Sequence, residues 1–132
     1  MNYQLALEEI EKTLDELRLD NQTIPIIVEG EKDVQALRKL GLVGEIIRFN
    51  QGMTIAAFCD MIAQQYKEVI ILTDWDRRGG YLCHTIERNI RSRVKCNMRY
   101  RETFATRIPN KTVEGIPTWL ENIKNKIMHT NG

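Results

Sequence analysis

The fold is decided by two stretches of sequence, IPIIVEG at Ile24–Gly30 and VIILTDWDRRG at Val69–Gly79. Each is rich in β-branched residues and shows no polar alternation, which is typical of a strand buried on both faces of a parallel sheet. Glu29 follows the first apolar run, and Asp74 and Asp76 follow the second. Ligands of open α/β sheets bind beyond the carboxyl ends of the strands. If these two strands are neighbours, the three carboxylates converge at one edge of the sheet.

Three clustered carboxylates repel one another unless a cation lies among them. Oxygen ligands of this kind suit Mg²⁺ or Mn²⁺. Alternate residues leaving a strand point the same way, so Asp74 and Asp76 can face one ion while Trp75 points elsewhere. Trp75 could then stack on a base or pack against the following helix. The pattern therefore predicts a divalent-metal site at the ends of the two strands.

The rest of the sequence alternates helical and strand patterns. We predict helices over 3–19, 31–40, 54–65, 80–91 and 117–128, strands over 24–29, 45–49, 69–73 and 94–100, and a loop around Pro109. Thr118 and Glu121 match a capping box at the start of the last helix. The fourth strand alternates apolar and polar residues more than the others, which favours a place near the sheet edge. Together these elements predict a compact three-layer, Rossmann-like α/β fold, with a mostly parallel four-stranded sheet and helices on both faces.

Size and composition limit the class of protein. The 132 residues, 42% hydrophobic and 28% charged, are typical of one soluble globular domain. No apolar stretch reaches the ~20 residues that span a bilayer, and the N-terminus has no signal core. We therefore expect a cytoplasmic protein without a membrane partner. Cys59, Cys83 and Cys96 are irregularly spaced, which supports neither a zinc site nor a disulfide framework.

Positive charge is concentrated in one segment. Between Arg77 and Arg107, nine basic residues stand against two acidic ones, although the net charge of the chain is only +1. The nine are Arg77, Arg78, Arg88, Arg91, Arg93, Lys95, Arg99, Arg101 and Arg107. Such a segment beside the carboxylates attracts a polyanion, of which a nucleic-acid backbone is one. A solvated Arg-rich helix face with ion pairs explains the same charges equally well.

The order of these motifs resembles the Toprim domain. The resemblance is carried by IVEGEKD at Ile27–Asp33 and ILTDWDRRG at Ile71–Gly79, and it spans roughly residues 24–119. Topoisomerases, bacterial-type primases, the nuclease that matures 5S ribosomal RNA, overcoming-lysogenization-type nucleases and a recombination mediator share this domain. The resemblance implies a Toprim domain at residues 24–132. The helix within residues 1–23 lies outside the pattern, and we expect it to pack on the domain, where it could cover a sheet edge or mediate a homodimer.

The resemblance also implies phosphoryl transfer on nucleic acid. Asp74 and Asp76 would bind Mg²⁺ or Mn²⁺, and Glu29 would act as a general acid or base or as a further metal ligand. Asp33 corresponds to an outer ligand in primase-like members, and it is equally well explained as a solvated acid favoured by the dipole of a helix N-terminus. Phosphate or nucleic acid would contact Lys32, Arg77, Arg78, Arg88 and Arg91. For the first three of these, charge balance around the acids is the alternative explanation.

The sequence departs from the larger members of the family. It has no second domain to carry a topoisomerase tyrosine, no zinc-binding region of a primase and no cysteine cluster of the recombination mediator. The resemblance is therefore closest to stand-alone small Toprim proteins and to the 5S ribosomal RNA maturation nuclease, whose additional C-terminal region is missing here. We expect a Mg²⁺-dependent nuclease that acts on RNA or DNA, with a role in RNA processing among the options. The alternative is a non-catalytic or partner-dependent module that binds nucleic acid.

Overall fold

The computed structural model of the chain describes residues 2–49 and 52–131. The elements follow in the order α1 (Tyr3–Asn21), β1 (Ile26–Val28), α2 (Glu31–Lys39), β2 (Ile46–Arg48), α3 (Ile55–Gln65), β3 (Glu68–Ile71), α4 (Arg77–Ile90), β4 (Lys95–Asn97), α5 (Arg99–Arg107) and α6 (Ile116–Asn131). The strands form one sheet in the order β2-β1-β3-β4, and every neighbouring pair is parallel. This architecture confirms the predicted α/β fold class.

Helices cover the sheet on both faces. In β1, Ile26 and Val28 pack in one buried cluster with side chains of α1, α5 and α6. Ile27, between them, packs in a second cluster with side chains of α3 and α4. All three β1 residues are buried, so no position on this strand faces water. This two-sided burial explains why the strand sequences show no polar alternation.

The strand order places the two carboxylate-bearing strand ends side by side. β1 pairs with β3 through Ile26 opposite Ile70 and Ile27 opposite Ile71. From β1 the chain goes to one neighbour, β2, by way of α2, and it later returns through α3 to the other neighbour, β3. The gap between β1 and β3 is therefore the switch point of the sheet, where open α/β proteins bind ligands. Glu29 and Asp74 follow these two strands.

The segment that follows α4 differs most from the sequence prediction. A strand was expected over 94–100, but β4 covers only Lys95–Asn97, and α5 at Arg99–Arg107 replaces the expected strand end and loop. The side chain of the last strand residue accepts a hydrogen bond from the backbone N–H two positions later, which ends the strand. Tyr100 and Phe104 then lie one helical turn apart on the same side of α5, and both are fully buried. β4 does lie at the sheet edge, as predicted.

Two helix starts also differ from the prediction. α4 begins at Arg77 instead of residue 80, because Asp76 caps the helix. α6 begins at Ile116, so Thr118 lies inside its first turn and the capping box predicted for it is wrong. Pro117 is tolerated there because the first turn of a helix needs no backbone N–H donor.

The first helix packs against the last two. Its buried stripe consists of Ala6, Ile10, Leu14 and Leu17. This stripe belongs to the same cluster as the buried side chains of α5 and α6. Ion pairs join the surfaces around it, from Arg99 to Glu16, from Arg107 to Glu9 and from Lys124 to Glu11. α1 thus completes one face of the core together with residues from the far end of the chain.

The cysteines are free thiols inside or near the core. Cys59 and Cys83 are buried and Cys96 is partly buried. Burial raises the pKa of all three thiols, so they remain protonated and pack as small hydrophobic side chains. Across residues 2–49 and 52–131, no helix is both long and apolar enough to cross a membrane.

Candidate functional site

A cleft of about 330 Å³ opens at the carboxyl ends of β1 and β3. Among the side chains that line it are the carboxylates of Glu29, Asp33, Asp74 and Glu114 and the cations of Lys32 and Arg78. The walls come from the strand ends, the first turn of α2, the start of α4 and the loop before α6. The cleft is therefore acidic, with two basic side chains beside the acids.

Asp74 connects the parts of this cleft. Its backbone N–H donates to Glu29 Oε2 at 3.0 Å, and its side-chain Oδ1 accepts from the backbone N–H of Val113 at 2.8 Å. Burial above all, together with the charges of Asp33 and Glu29, raises the pKa of Asp74 to about 7 against the opposing effect of the Val113 N–H. This carboxylate therefore carries negative charge that its surroundings do not compensate.

Asp33 is buried, in contrast to the solvated acid that the sequence allowed. Its side chain accepts a hydrogen bond from the backbone N–H of Gly30 at 3.1 Å in the first turn of α2. Burial raises its pKa, and the charges of Glu29 and Glu114 add to the effect. Its role as an outer metal ligand stays a prediction, but its place in the cleft wall agrees with that role.

Gly30 leaves room in the cleft. The backbone there is extended, and a Cβ at this position would have nothing within 4 Å. The turn after β1 therefore does not require a glycine. The space beside Glu29 remains open to a ligand.

Asp76 is used differently from Asp74. Its Oδ1 accepts from the backbone N–H of Gly79 at 2.7 Å, so this carboxylate caps α4. Thr73 Oγ1 donates to the carbonyl of Gly79 at 2.8 Å and closes the same turn. Asp76 is not among the cleft-lining residues of the described structure. Its predicted role as a metal ligand stays a prediction.

The donor chemistry fits a hard divalent cation, although the side chains do not form a complete cage. Within residues 2–49 and 52–131, no three His, Cys, Asp or Glu side chains are arranged to hold a metal ion together. Mg²⁺ does not need such a cage, because it keeps several waters and takes one or two carboxylates plus substrate phosphates. Glu29 and Asp74 supply carboxylate oxygens from neighbouring strands, beside Asp33. Their mutual repulsion is what a cation would relieve.

The sequence did not reveal two further residues of the site. Arg101, on α5, donates from Nη2 to the Asp74 carbonyl at 2.8 Å and from Nε to the Thr73 carbonyl at 3.1 Å. Glu114 reaches the cleft from the loop before α6. No local pattern marks either residue, because each comes from a segment whose position beside β3 depends on the tertiary fold.

Trp75 packs against Phe104 and does not line the cleft. Its ring centroid lies 6.1 Å from that of Phe104, and its Nε1–H donates to the carbonyl of Ile108 at 3.2 Å. Of the two predicted uses, packing against a helix is the one observed. The partner is α5, however, and the sequence suggested the helix that directly follows.

The basic segment divides into two parts. Five of its side chains form ion pairs: Arg91 with Glu87, Arg93 with Asp60, Lys95 with Glu68, Arg99 with Glu16 and Arg107 with Glu9. Arg78 is 86% exposed and meets a carboxylate only at 4.0 Å, where its Nε approaches Glu29 Oε1. Arg77 and Arg88 have no carboxylate within 4.0 Å in the described part of the chain. The five ion pairs agree with a solvated, ion-paired surface, while polyanion binding stays a prediction. Arg77, Arg78 and Arg88, which lack a close carboxylate partner among the described residues, lie on α4, and Arg101 on α5 donates to backbone carbonyls.

Comparison with known proteins agrees with this architecture. The UPF0292 protein of Thermoplasma volcanium is 41% identical over 105 residues, which cover 79% of this chain and 88% of that protein. The UPF0292 protein of Methanocaldococcus jannaschii is 37% identical over 95 residues, covering 71% and 74%. A solved structure of a putative protein from Aquifex aeolicus has the same fold, with a TM-score of 0.71 and 23% identity over 80% of this chain and 96% of that one. The sequence model of the Toprim domain matches residues 24–106, and the chain therefore belongs to the Toprim domain family.

Proposed function

We propose that this protein catalyses Mg²⁺- or Mn²⁺-dependent phosphoryl transfer on nucleic acid, as a nuclease that acts on RNA or DNA. Membership of the Toprim family supports a metal-dependent function connected with nucleic acids. The observation that carries the proposal is the convergence of Glu29 and Asp74, from neighbouring strands, on one acidic cleft. Lys32 and Arg78 beside the acids add the positive charge that a phosphate needs.

The predicted site residues have distinct roles in this proposal. Asp74 and Asp76 would hold the metal ion, and Asp76 has a second carboxylate oxygen besides the one that caps α4. Glu29 accepts or donates a proton at the reacting oxygen, or serves as a further ligand. When bound, the ion stabilises charge on the phosphate and activates water. Lys32 and Arg78 orient the phosphate, and Asp33 supports the ligand set from α2.

Glu29→Gln tests the proposal directly. The purified wild type and the variant are incubated with labelled structured RNA and single-stranded DNA in Mg²⁺, in Mn²⁺ and in EDTA. We expect metal-dependent cleavage by the wild type and a loss of at least about a hundredfold in the variant, because the amide cannot transfer a proton. Glu121→Gln, which removes an exposed carboxylate on α6, is the matched control and should cleave normally. Cleavage that survives Glu29→Gln unchanged would point to a contaminating nuclease.

One observation favours the second candidate, a nucleic-acid-binding module that does no chemistry alone or needs a partner protein. The carboxylates of Glu29, Asp33 and Asp74 each already accept a backbone N–H, and no three-ligand metal site exists in the described residues. Binding that is independent of metal, sensitive to salt and without turnover would favour this module. Failure to bind any nucleic acid at low salt would contradict both candidates.

A further inference from the structure

The exposed face of α4 combines cations with an aromatic ring and contains no acid. Its exposed members are Arg77, Arg78, Tyr81, His84, Arg88 and Asn89, and the half-buried Thr85 lies beside them. Tyr81 is 68% exposed, so most of its large ring is accessible to a ligand. The one acidic residue of this helix, Glu87, lies about 120° around the axis from Tyr81 and pairs with Arg91.

Part of this face forms a groove. Tyr81, Thr85, Arg88 and Asn89 line a surface depression of about 330 Å³. Thr85 Oγ1 donates to the carbonyl of Tyr81, and Asn89 Nδ2 donates to the carbonyl of Thr85. These polar side chains are therefore bonded to the helix backbone between the Tyr81 ring and Arg88.

The groove and the acidic cleft lie along the same helix, α4. α4 begins directly after Asp76, and Arg78 in its first turn lines the cleft beside Glu29. From Arg78 to Arg88 the helix rises about 15 Å, so the exposed face leads from the cleft across the surface. A chain of phosphates whose reacting group lies at Glu29 would meet these cations next.

We propose that the outer face of α4 binds the single-stranded part of a nucleic acid next to the phosphate in the cleft. Tyr81 stacks on an unpaired base, and Arg77 and Arg88 contact the backbone. Proteins bind single strands in this way, with a positively charged groove and aromatic rings on which bases stack. In a duplex the base faces are covered by neighbouring pairs, so an exposed ring gains nothing from paired nucleic acid. The inference rests on the proposed function and adds the class of substrate.

Binding measurements in EDTA test the inference without relying on cleavage. Fluorescently labelled single strands of RNA and of DNA are compared with the matching duplexes by anisotropy. We expect Tyr81→Ala to weaken single-strand binding about tenfold, the effect of losing one stacked base, and to leave duplex binding unchanged. Tyr81→Phe keeps the ring and should keep the affinity. The substrate is identified as RNA or DNA by the single strand that binds more tightly and loses more affinity in Tyr81→Ala.

Salt dependence tests the cationic part. Arg88→Ala should reduce the slope of log affinity against log salt by about one, because one phosphate contact is lost. Lys67→Ala removes an exposed cation at the amino end of β3, opposite the cleft, and should change nothing. The inference is overturned if the wild type binds no single strand, if Tyr81→Ala binds as tightly as the wild type, or if single strands and duplexes weaken equally. A Tyr81-dependent affinity in a protein that cleaves nothing would support the inference and contradict only the nuclease.

Discussion

Asp74→Asn is expected to abolish metal-dependent cleavage and, at the same time, to make the metal-free protein more stable. Activity is lost because the amide no longer offers a charged oxygen to the ion. Stability rises because the substitution removes one charge from a buried cluster that includes Glu29 and Asp33. The amide oxygen can still accept the hydrogen bond from Val113, so the local structure is kept.

The gain in stability depends on pH in a defined direction. The pKa of Asp74 is about 7 in the folded protein and near 3.8 in the unfolded chain, so the folded state binds the proton more tightly. The stability that proton binding by Asp74 contributes to the wild type is complete below about pH 4 and is lost as the pH rises through 7. This shift corresponds to at most roughly 4 kcal/mol in the free energy of unfolding, so we expect about 1–3 kcal/mol. The advantage of Asp74→Asn should therefore be clearly smaller at about pH 5 than at about pH 8, where it is full.

Thermal unfolding at both pH values, with EDTA and with Mg²⁺, measures these effects. Mg²⁺ should raise the melting temperature of the wild type at about pH 8 and leave that of Asp74→Asn unchanged, because only the wild type binds the ion. Asp60→Asn is the control, because Asp60 is an exposed carboxylate on α3 that pairs with Arg93. A variant that is no more stable than the wild type at about pH 8 in EDTA would show that the carboxylate cluster is not under electrostatic strain.

Gly79→Ala is expected to have the largest effect on stability. A Cβ at this position would lie 1.9 Å from the carbonyl oxygen of Asp74 and 2.5 Å from its carbonyl carbon. Because these are backbone atoms, the turn between β3 and α4 would have to move, and Asp74 would move with it. We expect a loss of more than about 3 kcal/mol in the free energy of unfolding, together with loss of activity.

The neighbouring glycine provides the matched control. A Cβ at Gly80 would approach only the guanidinium of Arg101, at an ordinary distance of 3.5 Å. Alanine is a better helix former than glycine, so Gly80→Ala should stabilise the protein by roughly 0.5–1 kcal/mol. Urea unfolding of the two variants should therefore give effects of opposite sign. Equal effects would mean that the contact at Gly79 is relieved without cost.

Much of the fold could be predicted because its main elements have local signatures. β1 and the buried part of β3 are short runs of β-branched residues, and α2 is followed by Gly41, whose φ of +85° suits glycine. We did not predict α5 because Val94, Cys96 and Tyr100 are separated by even numbers of residues. In a strand these side chains would all lie on one face, so the pattern resembles a strand. Only the tertiary fold shows that Tyr100 belongs with Phe104 on a helix that closes the core.

The site was predictable only in part. The positions of Glu29 and Asp74 follow from where two strands end, but their proximity depends on the strand order, which no local pattern encodes. Asp76 belongs to a metal-binding motif and to a helix cap at once, and the sequence does not separate these uses. Arg101 and Glu114 reach the site from more than twenty residues away along the chain, so only packing could reveal them.

The pairing of the first helix with the last two has a consequence for how this protein is made on the ribosome. The stripe of Ile10, Leu14 and Leu17 finds its buried partners in Tyr100, Phe104 and the residues Val113 to Ile123. Val113, whose backbone N–H donates to Asp74 Oδ1, is synthesised after all four strands. A nascent chain that has only reached the end of the Toprim match at residue 106 thus leaves the part of α1 that packs on α6 uncovered and the cleft without one wall. α1 precedes every other element of this fold along the chain, yet its burial is complete only once α6 has been made.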